Sequence, residues 1–183
     1  MIICESSIER DFIRICDFDT STIDIISQPL VIYYSYKQRT KKYYPDFKVI
    51  KEDGQIIIVE IKSSNKLYDL RNEIKYAIGR LYCEKMGWEY RIITENEIRP
   101  GYLQRNLALL RAFGHQPISY AALNCVYSNL TINGECTVEI LRSECSELDV
   151  SQFYCALYQL IYFHKIYVDL INDELSDMSY ISC

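Results

Sequence analysis

The chain of 183 residues predicts an α/β fold, a mixed sheet core flanked by helices and followed by a small, mostly helical domain. Apolar runs of strand length at residues 30–36 and 56–61 alternate with stretches of helical period. Between two such runs, KVIKEDGQIIIVEIK carries Glu-Asp-Gly, a turn signal for a β-hairpin. Past residues 114–117, where Gly and Pro interrupt the pattern, three helical segments precede two short strands.

The first helix is announced by Ser6-Ser7-Ile8-Glu9, a capping box, with Ile8, Phe12 and Ile15 or Cys16 on one face. Glu9 therefore has two uses, as a cap carboxylate or as a third ligand beside the hairpin, and spacing does not choose between them. Residues 17–27 are polar and turn-rich and are expected to form a loop. Gln28-Pro29 then opens the tyrosine-rich strand LVIYYSY, with Gln28 placed to touch a site as an amide ligand or positioning group.

The hairpin over residues 43–62 organises the rest. If Glu52, Asp53 and Gly54 form a three-residue loop closed by Gly54 in the left-handed region, Asp46 stands opposite Glu60. A two-residue Asp53-Gly54 turn would instead set Asp46 opposite Ile61 and put the carboxylates on different faces. Cross-strand partners lie about 4.5 to 5.5 Å apart at Cβ, so two like charges there repel unless a cation lies between them. Paired carboxylates suit a hard divalent ion such as Mg²⁺, with Mn²⁺ as a substitute. Lys62, on the same face as Glu60, would then place its ammonium by an attacking water or a developing phosphorane. The opposite face, Ile57, Val59 and Ile61, is wholly apolar and demands a core.

Net charge is −5, but it is unevenly divided. Residues 1–116 hold 18 Lys and Arg against 16 Asp and Glu, and residues 117–183 hold 2 against 9. A domain boundary is expected there, between 1–116 and 117–183. Lys37, Arg39, Lys41, Lys42 and Lys48 form a basic cluster near the hairpin, suited to a phosphate backbone or simply to solvent. The acidic second part would be repelled by DNA and is expected to contact protein. Eight cysteines contain no C-x-x-C pair and read as small buried thiols. MIICESSIERDF lacks the pattern of a signal peptide, so a cytoplasmic location is expected.

Residues 66–85 predict a long helix with Leu67, Leu70, Ile74, Ala77, Ile78 and Leu81 inward, ended by Gly87. Residues 88–93 predict a strand parallel to the hairpin, because a crossover helix precedes it. A second capping box, Thr94 to Glu97, starts a short helix stopped at Pro100, and residues 102–113 form another. Helices at 119–129, 137–145 and 150–164, then strands at 167–170 and 178–182, spell a small winged-helix-like domain.

With these residues in view, the chain resembles the TnsA-type endonuclease subunit of heteromeric transposases, a branch of the PD-(D/E)xK nuclease superfamily. SSIERDF, QPLVIYY, YYPDFKV, IIVEIK and GWEYRIITENEIRPGYLQRNL carry the resemblance, in that order. It implies a restriction-endonuclease-like core in which Glu9, Asp46 and Glu60 hold Mg²⁺ and Lys62 is the catalytic lysine. It further implies cleavage of the non-transferred strand at the 5′ ends of a transposon. Its implied partners are double-stranded DNA at those ends, a DDE-type transposase subunit, and an AAA+ ATPase regulator docked on the acidic C-terminal domain. Two other functions fit the same letters: a non-catalytic nuclease-fold module bridging an ATPase and DNA, and a free-standing restriction or repair nuclease.

Overall fold

The computed structural model describes residues 6–183 and divides into two compact units, one ending at Ile98 and one running from Arg99 to Cys183. In the first unit the elements are α1 (Ser7–Phe18), β1 (Thr22–Ser27), β2 (Ile32–Tyr36), β3 (Arg39–Tyr43), β4 (Phe47–Lys51), β5 (Ile56–Ile61), α2 (Leu70–Met86), β6 (Glu89–Ile93) and α3 (Glu95–Ile98). One sheet has the order β1-β4-β5-β6; β2 and β3 form a separate two-stranded sheet. The larger sheet is mixed, since β1, β4 and β5 run antiparallel while β6 is parallel to β5.

The turn between β4 and β5 settles the register. Lys51 N–H donates to Gln55 at 2.9 Å, Gly54 N–H donates back to Lys51 at 3.0 Å, and Gly54 sits at φ +85°. That is the three-residue loop with a left-handed glycine, and it pairs Phe47 with Val59 and Lys48 with Ile58. The apolar face then packs as expected. Phe47, Val49, Ile57, Val59 and Ile61 close on Phe12 and Cys16 of α1 and on Ile98 of α3. Each such side chain contributes about 1.5–3 kcal/mol when fully buried.

Three local expectations are corrected. Residues 22–27, expected as loop, form β1 and pair with β4, because Thr22-Ile23-Asp24-Ile25-Ile26 has enough β-branched content to extend the sheet edge. The strand expected to run unbroken from residue 43 is interrupted between Tyr43 and Phe47, where Pro45 has no N–H to give a ladder. And α2 turns a different face inward: Tyr76, Gly79 and Cys83 are buried while Leu70 and Leu81 are 65% and 54% exposed. Gly79 is the reason. A Cβ there would stand 2.4 Å from the Tyr90 ring, so only glycine lets the helix approach β6 along that line.

The second unit begins earlier than expected, at Arg99 instead of residue 117. It holds α4 (Leu103–Gly114), α5 (Tyr120–Asn133), β7 (Cys136–Thr137), α6 (Val138–Glu144), α7 (Val150–Tyr162), β8 (Tyr167–Val168) and β9 (Tyr180–Ser182), with an antiparallel sheet in the order β7-β9-β8. Helix α4 packs on α7, burying Leu107 and Leu110 with Phe153, Leu157 and Ile161. Buried Asn106 anchors α4 further, its amide donating to the carbonyls of Leu170 and Asp173 and accepting from Leu175 N–H. The earlier boundary softens the charge contrast, because Arg99, Arg105 and Arg111 now belong to the second unit, which carries 5 Lys and Arg against 9 Asp and Glu. Among the described residues no helix is long and apolar enough to cross a membrane.

Candidate active site

Asp46, Glu60 and Lys62 converge at the end of β5. Glu60 is 2% exposed although it carries a carboxylate, so its partners must replace water. Lys62 Nζ lies 3.1 Å from Oε1 and the Tyr43 hydroxyl donates to Oε2 at 2.8 Å. Tyr90 is 2.8 Å from Tyr43, and since Tyr43 spends its proton on Glu60, Tyr90 is the donor to Tyr43. This directed chain, Tyr90 to Tyr43 to Glu60, fixes the carboxylate. Burial and the nearby Glu60 charge push both tyrosine hydroxyls well above their ordinary range, which keeps them protonated as donors.

Asp46 stands one residue before β4 and just beyond the paired ladder. Its carbonyl accepts from Gln28 N–H at 2.8 Å, and its Oδ2 accepts from Ile61 N–H at 2.6 Å. Gln28 reaches it through the main chain, at φ +44°, a left-handed conformation that a non-glycine residue adopts at a cost. Burial, then repulsion from Glu60, push the Asp46 carboxyl up to about 7; Ile61 N–H and Lys62 oppose the rise, and Glu9 adds to it. Lys62 is held above its ordinary value: burial acts against its charge, but Glu60 and Asp46 outweigh burial. It is an ammonium here.

Glu9 is less fully committed to the site. It caps α1, its N–H donating to Ser6 Oγ at 3.2 Å and its Oε1 accepting from the same hydroxyl at 2.8 Å, while its charge still reaches Asp46. Among the described residues no group of three or more His, Cys, Asp or Glu is gathered for a metal ion. The helix cap and the tyrosine-lysine clasp hold Glu9 and Glu60 in their present places.

The basic cluster is divided. Lys37, Arg39, Lys41 and Lys42 lie exposed on the β2–β3 hairpin, whereas Lys48 lies over the Trp88 ring at 4.5 Å. Three tyrosines of the site have no signal in the bare pattern. Strict alternation along one strand would turn Tyr43 away from Asp46, and only the break at Pro45 frees it to face Glu60. Tyr90 enters through the parallel register, beside Glu60's neighbour Ile92. Tyr76 is 4% exposed, its hydroxyl has no hydrogen-bond partner among the described residues, and the charges of Lys62, Glu60 and Asp46 all act on it.

A mixed sheet whose inner strand ends in Glu60-Ile61, with Lys62 just beyond and Pro45-Asp46 beside it, is consistent with a nuclease-like core. Residues 19–95 match the family described as TnsA-like endonuclease N terminal, which supports a TnsA-like nuclease. The match takes in Asp46, Glu60 and Lys62, and leaves Glu9 and the second unit outside it. No curated protein matches the chain.

Proposed function

We propose that the protein is a Mg²⁺-dependent DNA endonuclease, the subunit of a heteromeric transposase that hydrolyses the non-transferred strand at the 5′ transposon ends. The observation that carries this reading is the meeting of Asp46 and Glu60 with the Lys62 ammonium at the end of one strand, within the TnsA-like stretch. The donor set fits a hard cation. Burial first, and the Glu60 charge second, push the Asp46 carboxyl up to about 7, and a hard cation held by the two carboxylates would favour their charged forms. Asp46 and Glu60 would hold it, with Glu9 adding charge from the start of α1. Bound there, a divalent ion supplies positive charge for a scissile phosphate.

The chain's own groups do the remaining work. Tyr43 prevents Glu60 from rotating, and Ile61 N–H does the same for Asp46, so both face one point without reorganisation. Lys62 orients a water and offsets charge on the phosphoryl oxygens as the water oxygen bonds to phosphorus, gives its proton to solvent, and the bond to the leaving sugar oxygen breaks, that oxygen taking a proton from solvent. For the second unit, the order helix, short strand, helix, helix and two strands supports a winged-helix-like reading of residues 120–183. We assign it to docking of the AAA+ regulator, with the DDE-type transposase as the other partner and the cytoplasm as the setting. Asp46→Ala is expected to lower Mg²⁺- or Mn²⁺-dependent nicking of a transposon-end duplex by about a thousandfold with the fold intact. Undiminished nicking rejects the assignment.

One observation favours a second reading, a non-catalytic nuclease-fold module. Glu60 is almost fully buried and already has two partners. Calorimetric titration with Mn²⁺ separates the two: the module takes up no ion that Asp46→Ala removes.

A further inference from the structure

Between Asp24 and Asp46 the sequence has no Asp or Glu, yet it holds Lys37, Arg39, Lys41, Lys42 and five tyrosines. In a chain of net charge −5 this is a sharp local reversal. Most of the stretch folds as the β2–β3 hairpin, which is not hydrogen-bonded into the larger sheet. Its four cations are exposed, and among the described residues none pairs with a carboxylate, unlike Lys51, Lys62 and Arg91.

The register distributes these charges. Tyr33 pairs with Lys42 and Ser35 with Thr40 on one face; Tyr34 pairs with Lys41 and Tyr36 with Arg39 on the other. Lys37 sits in the turn. Cations therefore project from both faces and from the tip, and two of them lie over tyrosine rings: Lys42 over Tyr33 at 5.5 Å and Lys37 over Tyr36 at 5.4 Å. A protein-docking surface needs one face. A ribbon charged on both faces suits a channel with two anionic walls, and the major groove of duplex DNA admits a two-stranded ribbon between its two phosphate rows.

Two further features tie this ribbon to the reaction. Its turn holds Lys37 at φ +50° and Gln38 at φ +59°, left-handed positions that glycine or asparagine would occupy more cheaply. And β3 ends at Tyr43, whose hydroxyl binds Glu60, so the base of the ribbon is fastened to the proposed catalytic carboxylate. We infer that the β2–β3 hairpin is a DNA-gripping ribbon that enters the major groove beside the scissile phosphate and holds the phosphates of both strands. This deepens the nuclease reading and rests on it for the scissile phosphate.

The test is binding of a fluorescein-labelled duplex to the full chain in EDTA, where no cut is made, over a range of salt concentrations. Replacing all four cations (Lys37→Ser, Arg39→Ser, Lys41→Ser, Lys42→Ser) should flatten the slope of log K against log salt by about 3 to 4, since each neutralised phosphate contributes about 0.9. Arg39→Ser alone should flatten it by about 0.9, which keeps the test valid if the fourfold variant folds poorly. Lys37→Arg, Lys41→Arg, Lys42→Arg should leave the slope unchanged, and the major-groove dye methyl green should compete for the duplex. An unchanged slope in the serine variants overturns the ribbon, as does tighter binding of single-stranded DNA, or competition by the minor-groove ligand netropsin and not by methyl green. If the slopes change as expected but wild-type protein cuts no duplex with Mg²⁺ or Mn²⁺, the ribbon stands and the nuclease reading falls.

Discussion

The first unit contains two hairpins that solve opposite problems. The β4–β5 hairpin buries Phe47, Val49, Ile57, Val59 and Ile61, turns through Gly54 at φ +85°, and gives Lys48, Lys51 and Glu60 partners in Trp88, Asp19 and Lys62. The β2–β3 hairpin turns through Lys37 and Gln38 without glycine and leaves its cations exposed, none of them paired with a carboxylate among the described residues. Where burial supplies the stability, the turn is relaxed and the charges are clasped. Where the hairpin is exposed, strain and unpaired charge are tolerated, and both fit a surface that meets a charged ligand.

Substitutions at the join between the hairpins should break this contrast most severely. Tyr43→Phe removes one of the two partners of a carboxylate that is 2% exposed, and is expected to cost about 2 kcal/mol in denaturant unfolding together with a loss of nicking. Nicking at the wild-type rate would show that Tyr43 only packs. The turns come next, with opposite signs. Gly54→Ala should destabilise by about 1 kcal/mol because a Cβ is strained at that φ even though nothing crowds it. Lys37→Asn with Gln38→Gly should stabilise by about 0.5–1 kcal/mol by relaxing the primed turn, while the salt slope of duplex binding falls by about 0.9. Equal signs from the two turns would erase the distinction.

The smallest effect concerns acid. Partial burial works against the Asp19 charge, but the Lys51 ammonium and Ser21 outweigh it and hold the carboxyl down to about 2, below its ordinary 3.8. A depressed folded value means stability that is present above 3.8 and lost as the pH falls through about 2. The Asp19 side chain is 38% exposed, so screening should keep the contribution below about 1 kcal/mol. Asp19→Asn should flatten the unfolding profile in that window by this amount; an unchanged profile would show the pair to be inert.

Much of the first unit was legible because its signals are local. Glu52-Asp53-Gly54 between apolar runs marks the hairpin and limits its loop to two or three residues, so the apolar face of Ile57, Val59 and Ile61 could be read in advance, while the three-residue loop that sets Phe47 opposite Val59 was one of two choices. The parallel strand β6 followed from the helix before it, and Gly87 in the left-handed region ends α2 as its position suggests. Helix faces were harder. Leu70 and Leu81 outscore Gly79 on any hydropathy scale, yet close approach to Tyr90 chose the glycine side. The domain boundary was misplaced for a related reason: α4 has no mark of its allegiance until Asn106 is seen binding the segment 170–175.

By itself the sequence determined the hairpin and the wholly apolar face of Ile57, Val59 and Ile61, and it narrowed the partner of Asp46 to Glu60 or Ile61, because turn residues and strand alternation act over a few positions. Only the tertiary structure decided that Glu60 is clasped by Tyr43 and Lys62, that Glu9 stays bound to its cap, and that four of five cations share one hairpin while Lys48 lies on Trp88. Those outcomes depend on desolvation and on contacts between residues far apart in the chain, which no local pattern encodes.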